Sequence, residues 1–298
     1  MTAPASPALA GPGTGRWSRR IRAAVAQLYG RATTAIGTTI FLIFLLLALF
    51  GPLIAPYGAN QQIPGAARQP PSAAHWFGTD TLGRDVFSRV VLGARDVLSL
   101  AGLGTLLAVT LGTLIGLVSG YRGGLLDEAI MRLFDSLLSL PALMLALLLL
   151  GSLGASRTSV FIVIVVAYTP IVARVVRSVT LSVRTRGYVE AARAQAESFF
   201  HILFREILPS TLPALAVEAA LRFSYAIFLV SSLGFLGVGV QPPAPDWGLM
   251  VQEARPTVLQ TPWAMYFPVA AIAIVVVGVN LLADGLKQIL QAPSQIGG

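Results

Sequence analysis

Few side chains in this sequence have the type and spacing that chemistry requires. Glu218 and Arg222 lie four residues apart within an apolar run, so on a helix they share one face and can pair. Ionisable residues inside a membrane segment are candidate pathway residues, because charge is costly there. The alternative is a self-neutralising pair that makes the helix insertable, since burial favours paired charges. Both roles stay open on the sequence alone.

No arrangement typical of catalysis is evident in the sequence, and nothing points to a two-carboxylate site. The two histidines, His75 and His201, fall in segments predicted on opposite sides of a membrane, so they cannot share a Ser-His-Asp site. The chain has no cysteine, which excludes disulfides and thiolate sites. A phosphate-binding loop needs Gly-x4-Gly-Lys-Ser/Thr, but Lys287 is followed by Gln288. We predict that the chain is not an enzyme and holds no catalytic residue, cofactor or metal of its own.

The composition places the chain in a lipid bilayer. Of its 298 residues, 55% are hydrophobic and 11% are charged, whereas a soluble domain carries about 25% charged residues. The net charge of +8 comes from arginines scattered among apolar runs, without a basic domain. This pattern disfavours nucleic acid as a partner and favours anionic lipid headgroups.

Six apolar runs are long enough to cross a membrane, for which about 20 helical residues are needed. We therefore predict an all-α, polytopic bundle of six transmembrane helices. The glycines at 112, 116 and 120 have the spacing that lets another helix approach closely. Pro141 and Pro170 are predicted to kink the third and fourth spans. The runs are residues 36–54, 98–120, 131–150, 160–176, 212–230 and 265–282.

These spans divide the chain into four parts. Residues 1–35 form a tail, residues 36–97 contain the first span and an outer loop, residues 98–290 form the core, and residues 291–298 form a second tail. The basic stretch of the first tail is a candidate interfacial helix or a topology signal. In the outer loop, Thr79 or Asp80 is a candidate N-cap of a surface helix. Lys and Arg are more numerous in segments that would be cytosolic with the N-terminus inside. We predict that the N- and C-termini are cytosolic.

One charged stretch, residues 184–209, interrupts the apolar runs. Its early part is rich in helix formers, and Gly187 and Pro209 bracket it. Five apolar residues recur at helical spacing, so we expect a helix with one apolar face that lies on a membrane surface or against a partner protein. These residues are Phe199, Phe200, Leu203, Phe204 and Ile207.

The residue pattern of this stretch resembles the "EAA" loop of ABC-importer permeases. Glu190-Ala191-Ala192 is followed by Ala196, where that family has glycine, and by Leu208-Pro209. A turn with positive φ would be strained by alanine at 196, whereas a helix would tolerate it. In the family the loop is a coupling helix in a groove of a cytosolic ATPase. By this resemblance, the ATPase-coupling residues are Glu190, Ala191, Ala192, Arg193, Ala196, Phe199, Phe200 and Leu203.

Further blocks are similar to the C-type subunit of the dipeptide/oligopeptide/nickel branch of these permeases. They lie at residues 75–85, 120–132, 232–248 and 280–286. The resemblance implies half of a translocation path for peptides across the bacterial inner membrane. Glu218 and Arg222, singled out above by their charge, are the possible path residues. It also implies a homologous second permease, two cytosolic ATPase subunits or domains that bind ATP and Mg, an external substrate-binding protein and membrane lipids.

Other functions remain to be weighed against this resemblance. A secondary transporter driven by an ion gradient predicts inverted repeats and midplane carboxylates, of which only Glu218 is present. Nickel or a metal chelate is the alternative cargo. The glycine-rich run at residues 234–239 is expected to break a helix at the outer surface, either as a lip for a binding protein or as a loop that seals the bundle.

Overall fold

A computed structural model describes Tyr29 and residues 31–291. Nine α-helices longer than one turn lie within this described part of the chain. They are α1 (Ala32–Ile54), α2 (Val86–Arg122), α3 (Gly124–Leu138), α4 (Ala142–Leu153), α5 (Arg157–Val183), α6 (Gly187–Ala194), α7 (Leu208–Phe235), α8 (Trp247–Ala254) and α9 (Pro262–Gln291).

The predicted polytopic helical bundle is confirmed. Five helical segments of the described chain are long and apolar enough to cross a membrane, namely α1, α2, α5, α9 and the segment that ends with α7. A sixth span results if α3 and α4 are counted together. These two helices meet at 91°, because Pro141 ends one helical direction and starts the other. The break predicted at Pro141 is confirmed, whereas α5 runs through Pro170 as one helix.

Helices α2 and α5 pack backbone to backbone along a stripe of glycines. A Cβ at Gly116 would lie 2.6 Å from the carbonyl oxygen of Ala173, and one at Gly112 would lie 2.6 Å from the Cβ of Val172. No side chain fits in either place. The predicted close approach is therefore confirmed, and its partner is α5. A second pair that the sequence did not single out, α1 and α9, packs through Gly37 and Gly278 in the same way.

The connections sort into two opposite ends of the bundle. At the Glu190 end, Arg184 donates to the carbonyl of Gly120, and Arg31 at the start of α1 bonds Gln288 near the end of α9. At the Trp247 end, Arg157 reaches Asp96 at 2.6 Å. Since α2 and α5 run between these ends, the two histidines lie at opposite ends, as expected.

The start of α2 differs from the sequence-based expectation. Its N-cap is Asp85, whose side chain accepts from the backbone N–H of Ser88 at 2.8 Å. The expected surface helix capped by Thr79 or Asp80 is wrong, because residues 86–97 form the first turns of α2 itself. Asp80 instead accepts from the N–H groups of Leu82 and Arg84 in a turn. The basic stretch before residue 29 and the end of the tail after residue 291 lie outside the described residues.

Candidate functional site

Helix α6 carries Glu190, Ala191, Ala192 and Arg193 and ends two residues before Ala196. Its last turn is closed by two backbone hydrogen bonds, from the N–H of Ala196 to Arg193 and from the N–H of Glu197 to Ala192. This pair of bonds is the Schellman motif, whose penultimate residue needs a left-handed backbone. Ala196 takes that conformation with φ of 58°.

Ala196 therefore adopts a conformation that favours glycine. A left-handed backbone brings the alanine Cβ close to its neighbouring carbonyl, which costs about 1–2 kcal/mol per residue. Of the two possibilities raised from the sequence, the tight turn is present and the continuous helix is not. The stretch 189–200 is consequently not one helix, since α6 ends at Ala194 and a new helical turn begins at Phe199, capped by Ser198.

The inner side of this loop is seated in a small core of its own. Val189 and Ala192 of α6 are buried against Leu117 of α2 and Val176 of α5. Leu203 belongs to the same core and is only 2% exposed. The expectation that Leu203 offers apolar surface to a partner does not fit this burial, because its side chain is already enclosed by its own chain.

The outer side of the loop carries Glu190, Phe200 and Phe204. Phe200 is 68% exposed and Phe204 is 42% exposed, and their rings stack at 6.5 Å between centroids. Glu190 is exposed, and no hydrogen bond or ion pair of its side chain occurs within residues 31–291. We call Glu190, Phe200 and Phe204 the outward face of the loop.

A π-helical segment separates the two apolar faces that the sequence analysis merged into one. Residues Ile202–Ile207 form six residues of π-helix between the turn at Phe199 and α7. Leu203 and Ile207 point into the core while Phe200 and Phe204 point out. Single π-helical turns often occur at functional sites.

Two arginine contacts hold the loop to the ends of the long helices. Arg193 stacks on Tyr121, with its guanidinium carbon 4.7 Å from the ring centre, and donates to the hydroxyl of Tyr121 at 3.2 Å. Phe199 packs beside the same tyrosine at 5.6 Å and under Arg122 at 4.8 Å. Arg193 and Phe199 therefore tie α6 and the following turn to the last turn of α2.

The predicted Glu218–Arg222 pair forms on α7. Nε of Arg222 lies 2.8 Å from Oε1 of Glu218, and both side chains are largely buried. The contact is an ion pair by distance, but the N–H bond is not aligned with the oxygen, so neither buried atom has a hydrogen-bond partner in the described chain. Aromatic rings flank the guanidinium, with its central carbon 4.8 Å from Tyr225 and 5.8 Å from Tyr168.

Arg222, Tyr168 and Tyr225 line a cavity of about 290 Å³ between α4, α5 and α7. Leu143, Phe228 and Ser232 also line it and are shared with an apolar cavity of about 660 Å³ that continues toward α8 and α9. Arg222 therefore supplies the charged group at one end of a mainly apolar space. Glu218 and Arg222 lie on α7, the helix that begins directly after the Glu190 loop.

At the Trp247 end, a four-residue ion cluster ties the outer loop to α8. Oδ2 of Asp80 lies 2.5 Å from Arg84 and 3.0 Å from Arg89, and Oε2 of Glu253 lies 2.8 and 2.9 Å from the same two arginines. Two cations meet two anions, so the cluster is neutral overall. Sequence reasoning missed it, because Arg84 and Glu253 are distant in the chain.

Helix α8 is anchored in the bundle by the residues that precede it. Trp247 is fully buried against Phe44, and its indole N–H donates to the carbonyl of Val90 at 2.9 Å. Asp246 caps the helix by accepting from the N–H of Leu249 at 3.0 Å. Burial raises the pKa of Asp246 to about 6, although the backbone N–H groups of Leu249 and Gly248 oppose this shift. The glycine-rich run breaks α7 as expected, and α8 packs back onto the bundle.

A bundle of membrane-length helices, with a short amphipathic helix exposed at one end, defines the chain as a polytopic membrane component rather than a soluble domain. Comparison with known families identifies which one. Residues 112–292 match the family described as binding-protein-dependent transport system inner membrane component. Residues 22–71 match the N-terminal transmembrane domain of oligopeptide transport permease C. The chain belongs to this family of transport permeases, as the sequence resemblance indicated.

Relatives along nearly the whole chain agree with this assignment. The dipeptide transport system permease protein DppC of Alkalihalophilus pseudofirmus is 39% identical over 90% of this chain and 88% of its own length. The probable D,D-dipeptide transport system permease protein DdpC of Escherichia coli is 40% identical over 89% of each chain. The glutathione transport system permease protein GsiD of Pectobacterium atrosepticum is 36% identical over 87% of each.

Proposed function

We propose that this chain is the permease subunit of an ATP-driven importer and forms half of a path for short peptides across the inner membrane. Its partners would be a homologous second permease, two cytosolic ATPase subunits or domains that hold ATP and Mg, and an external substrate-binding protein. The N- and C-termini would face the cytosol. The observation that carries the proposal is the outward face of the loop, which presents apolar rings and a free carboxylate on a rigid seat.

The chemistry of the outward face supports docking of a partner protein. Phe200 and Phe204 expose stacked rings, and Glu190 is exposed on the same loop; exposed apolar groups rimmed by polar ones mark interaction sites. Lipid alone would cover the rings but would make no specific contact with the Glu190 carboxylate. A groove with apolar walls and a donor for Glu190 satisfies both.

The seating of the loop supports transmission of a movement. Val189 and Leu203 lock α6 and the following turn into one core with α2 and α5. A push on the outward face therefore moves this end of the bundle as a body, which is the usual form of such transitions because packed interfaces do not deform continuously. The helix that follows is α7, which carries Glu218 and Arg222.

Peptides are the proposed cargo because of the relatives. Those named above are described as permeases for dipeptides, D,D-dipeptides and glutathione. A metal route has less support, since no group of three potential metal-ligating side chains is found within the described residues. A mainly apolar space with one polar end suits a small peptide better than a bare ion.

The test replaces Glu190 and Phe200 with alanine together in the assembled transporter. We expect loss of peptide-stimulated ATP hydrolysis and reduced co-purification of the ATPase, because both the carboxylate and the larger exposed ring are removed. The matched control is Leu259→Ala, which removes a side chain that is 97% exposed at the other end of the bundle. Full coupling in the double variant would contradict the proposal.

A further inference from the structure

The Arg222 guanidinium is a charged group with unused donors at the edge of a cavity. We propose that Arg222 is the recognition site for the free α-carboxylate of a peptide in transit. This inference rests on the proposed function, because it assumes that the cavity belongs to the transport path. It assigns Arg222 a substrate contact and Glu218 the role of holding the arginine in place.

The unused donors are the two terminal amino groups of the guanidinium. A guanidinium carries five N–H donors in a planar fork. The ion pair with Glu218 is recorded at Nε, and no hydrogen bond from the Arg222 side chain occurs within the described chain. The edge formed by the two terminal nitrogens is therefore available. A carboxylate is the ligand that matches this edge, with two parallel charge-assisted hydrogen bonds.

The surrounding side chains orient this edge. Tyr225 and Tyr168 lie 4.8 and 5.8 Å from the guanidinium carbon, in the range of cation–π attraction. Glu218, four residues earlier on the same helix, restrains the side chain from the Nε side. An arginine held by three neighbours loses less conformational freedom when it binds a ligand, which favours recognition.

The location of Arg222 suits a contact during passage. It lies about halfway along the 28 residues of α7, near the centre of a bilayer whose hydrocarbon core is about 30 Å thick. Arginines at such depth face a bundle interior or a water-filled cavity. Because Glu218 already neutralises the arginine, a second carboxylate binds with moderate strength. Passage requires this, since a substrate that binds too strongly is not released.

The cavity beyond Arg222 fits the rest of a peptide. The 290 Å³ space around Arg222 is adjacent to the 660 Å³ apolar space, and the two share the lining residues Leu143, Phe228 and Ser232. A carboxylate on Arg222 leaves the preceding side chains among these apolar residues. The expected substrate class is a short peptide with a free C-terminus and small or apolar side chains. A carboxylate from a partner permease is the competing ligand of the same chemistry.

The experiment uses the absence of cysteine in the chain. Ser232→Cys introduces a single thiol where the two cavities meet, and its rate of modification by a maleimide is measured in the assembled transporter. The probes are the dipeptide Ala-Ala and its C-terminal amide. We expect Ala-Ala to slow modification at least threefold and the amide to have little effect. Ser210→Cys, at the Glu190 end, is the control thiol and should react at the same rate with either probe.

A second arm removes the recognition group without leaving an unpaired charge. Glu218→Gln with Arg222→Gln keeps both positions polar and removes both charges, which avoids the penalty for a lone buried ion. In this background the protection by Ala-Ala should disappear. Equal protection by acid and amide, or protection that survives the double replacement, would overturn the inference. So would a lack of protection by Ala-Ala, the result expected if a partner carboxylate occupies Arg222.

Uptake of Ala-Ala by the same transporter tests the proposed function separately. Protection without ATP-dependent uptake would overturn peptide import while leaving the carboxylate contact. Uptake without selective protection would retain peptide import and overturn the role of Arg222.

Discussion

The backbone N–H of Glu197 donates a 3.1 Å hydrogen bond to the carbonyl of Ala192, and this bond closes the end of the proposed coupling helix. The residue before Glu197, Ala196, has φ of 58° to allow it. The family resemblance has glycine there. The loop therefore forms the turn although alanine is strained in this conformation. The surrounding packing, rather than the residue type at position 196, sets the geometry of the turn.

The strain at Ala196 predicts that Ala196→Gly stabilises the loop. Glycine adopts this backbone without the Cβ clash, and the gain should be about 1 kcal/mol. We expect a higher unfolding temperature of the purified chain in detergent, measured by tryptophan fluorescence. The control is Ala194→Gly, in the last turn of α6, where glycine should destabilise by about 1 kcal/mol. Changes of the same sign in both variants would argue against the left-handed turn.

The glycine stripe predicts a strong effect at Gly116. The Cβ of Gly116→Ala would lie 2.6 Å from the carbonyl oxygen of Ala173, so α2 and α5 must separate. Overpacking of this kind costs about 1–3 kcal/mol. Gly151→Ala is the matched control, since nothing lies within 4 Å of its new Cβ. We expect a lower unfolding temperature for the first variant and an equal or higher one for the second; equal values would contradict the packing.

The ion cluster at the Trp247 end predicts that Glu253→Gln destabilises the chain. It leaves Arg84 and Arg89 sharing Asp80 alone in a buried site. Breaking a buried pair in this way costs about 3 kcal/mol or more. Arg132→Gln removes a surface pair with Glu128, whose side chains are 77% and 54% exposed, and should cost less than about 1 kcal/mol. Thermal unfolding of both variants measures the difference in their loss of stability. This difference disappears if Glu253 is solvated.

The buried cap of α8 predicts a pH dependence. The pKa of Asp246 is raised to about 6 by burial, so the folded protein favours the protonated carboxyl. Its contribution to stability is complete below the unfolded value near 3.8 and is lost as the pH rises through about 6. Asp246→Asn keeps an N-cap oxygen but does not titrate. The wild type should gain stability relative to this variant between pH 7 and pH 5; a constant difference would contradict the burial effect.

The spans were predictable from the sequence because hydropathy and length depend only on local composition. The spacing of Gly112 and Gly116 predicted a close helix contact, but it did not predict that α5 would be the partner helix. Glu218 and Arg222 were paired correctly because four residues on a helix fix their separation. In each instance the information lies within one or two turns of the chain.

The remaining features depend on contacts between distant residues. Alanine is a good helix former, so residue 196 does not reveal the turn, which lies between Val189 and Leu203 of one buried core. The π-helical segment rotates Phe200 and Phe204 away from Leu203, which a regular helical period does not reveal. Tyr168 beside Arg222 lies on α5, and Arg84 and Arg89 beside Glu253 lie in the outer loop and on α2. No spacing rule predicts these neighbours.

Cross-linking tests most directly whether the loop around Glu190 contacts the ATPase. In the assembled transporter, Phe200→Cys places a single thiol on the outward face, and Leu259→Cys places one at the opposite end. We predict that a short bifunctional reagent joins the first thiol to the ATPase subunit and does not join the second. Cross-linking of the second variant alone, or of neither in an assembly that hydrolyses ATP, would contradict the account.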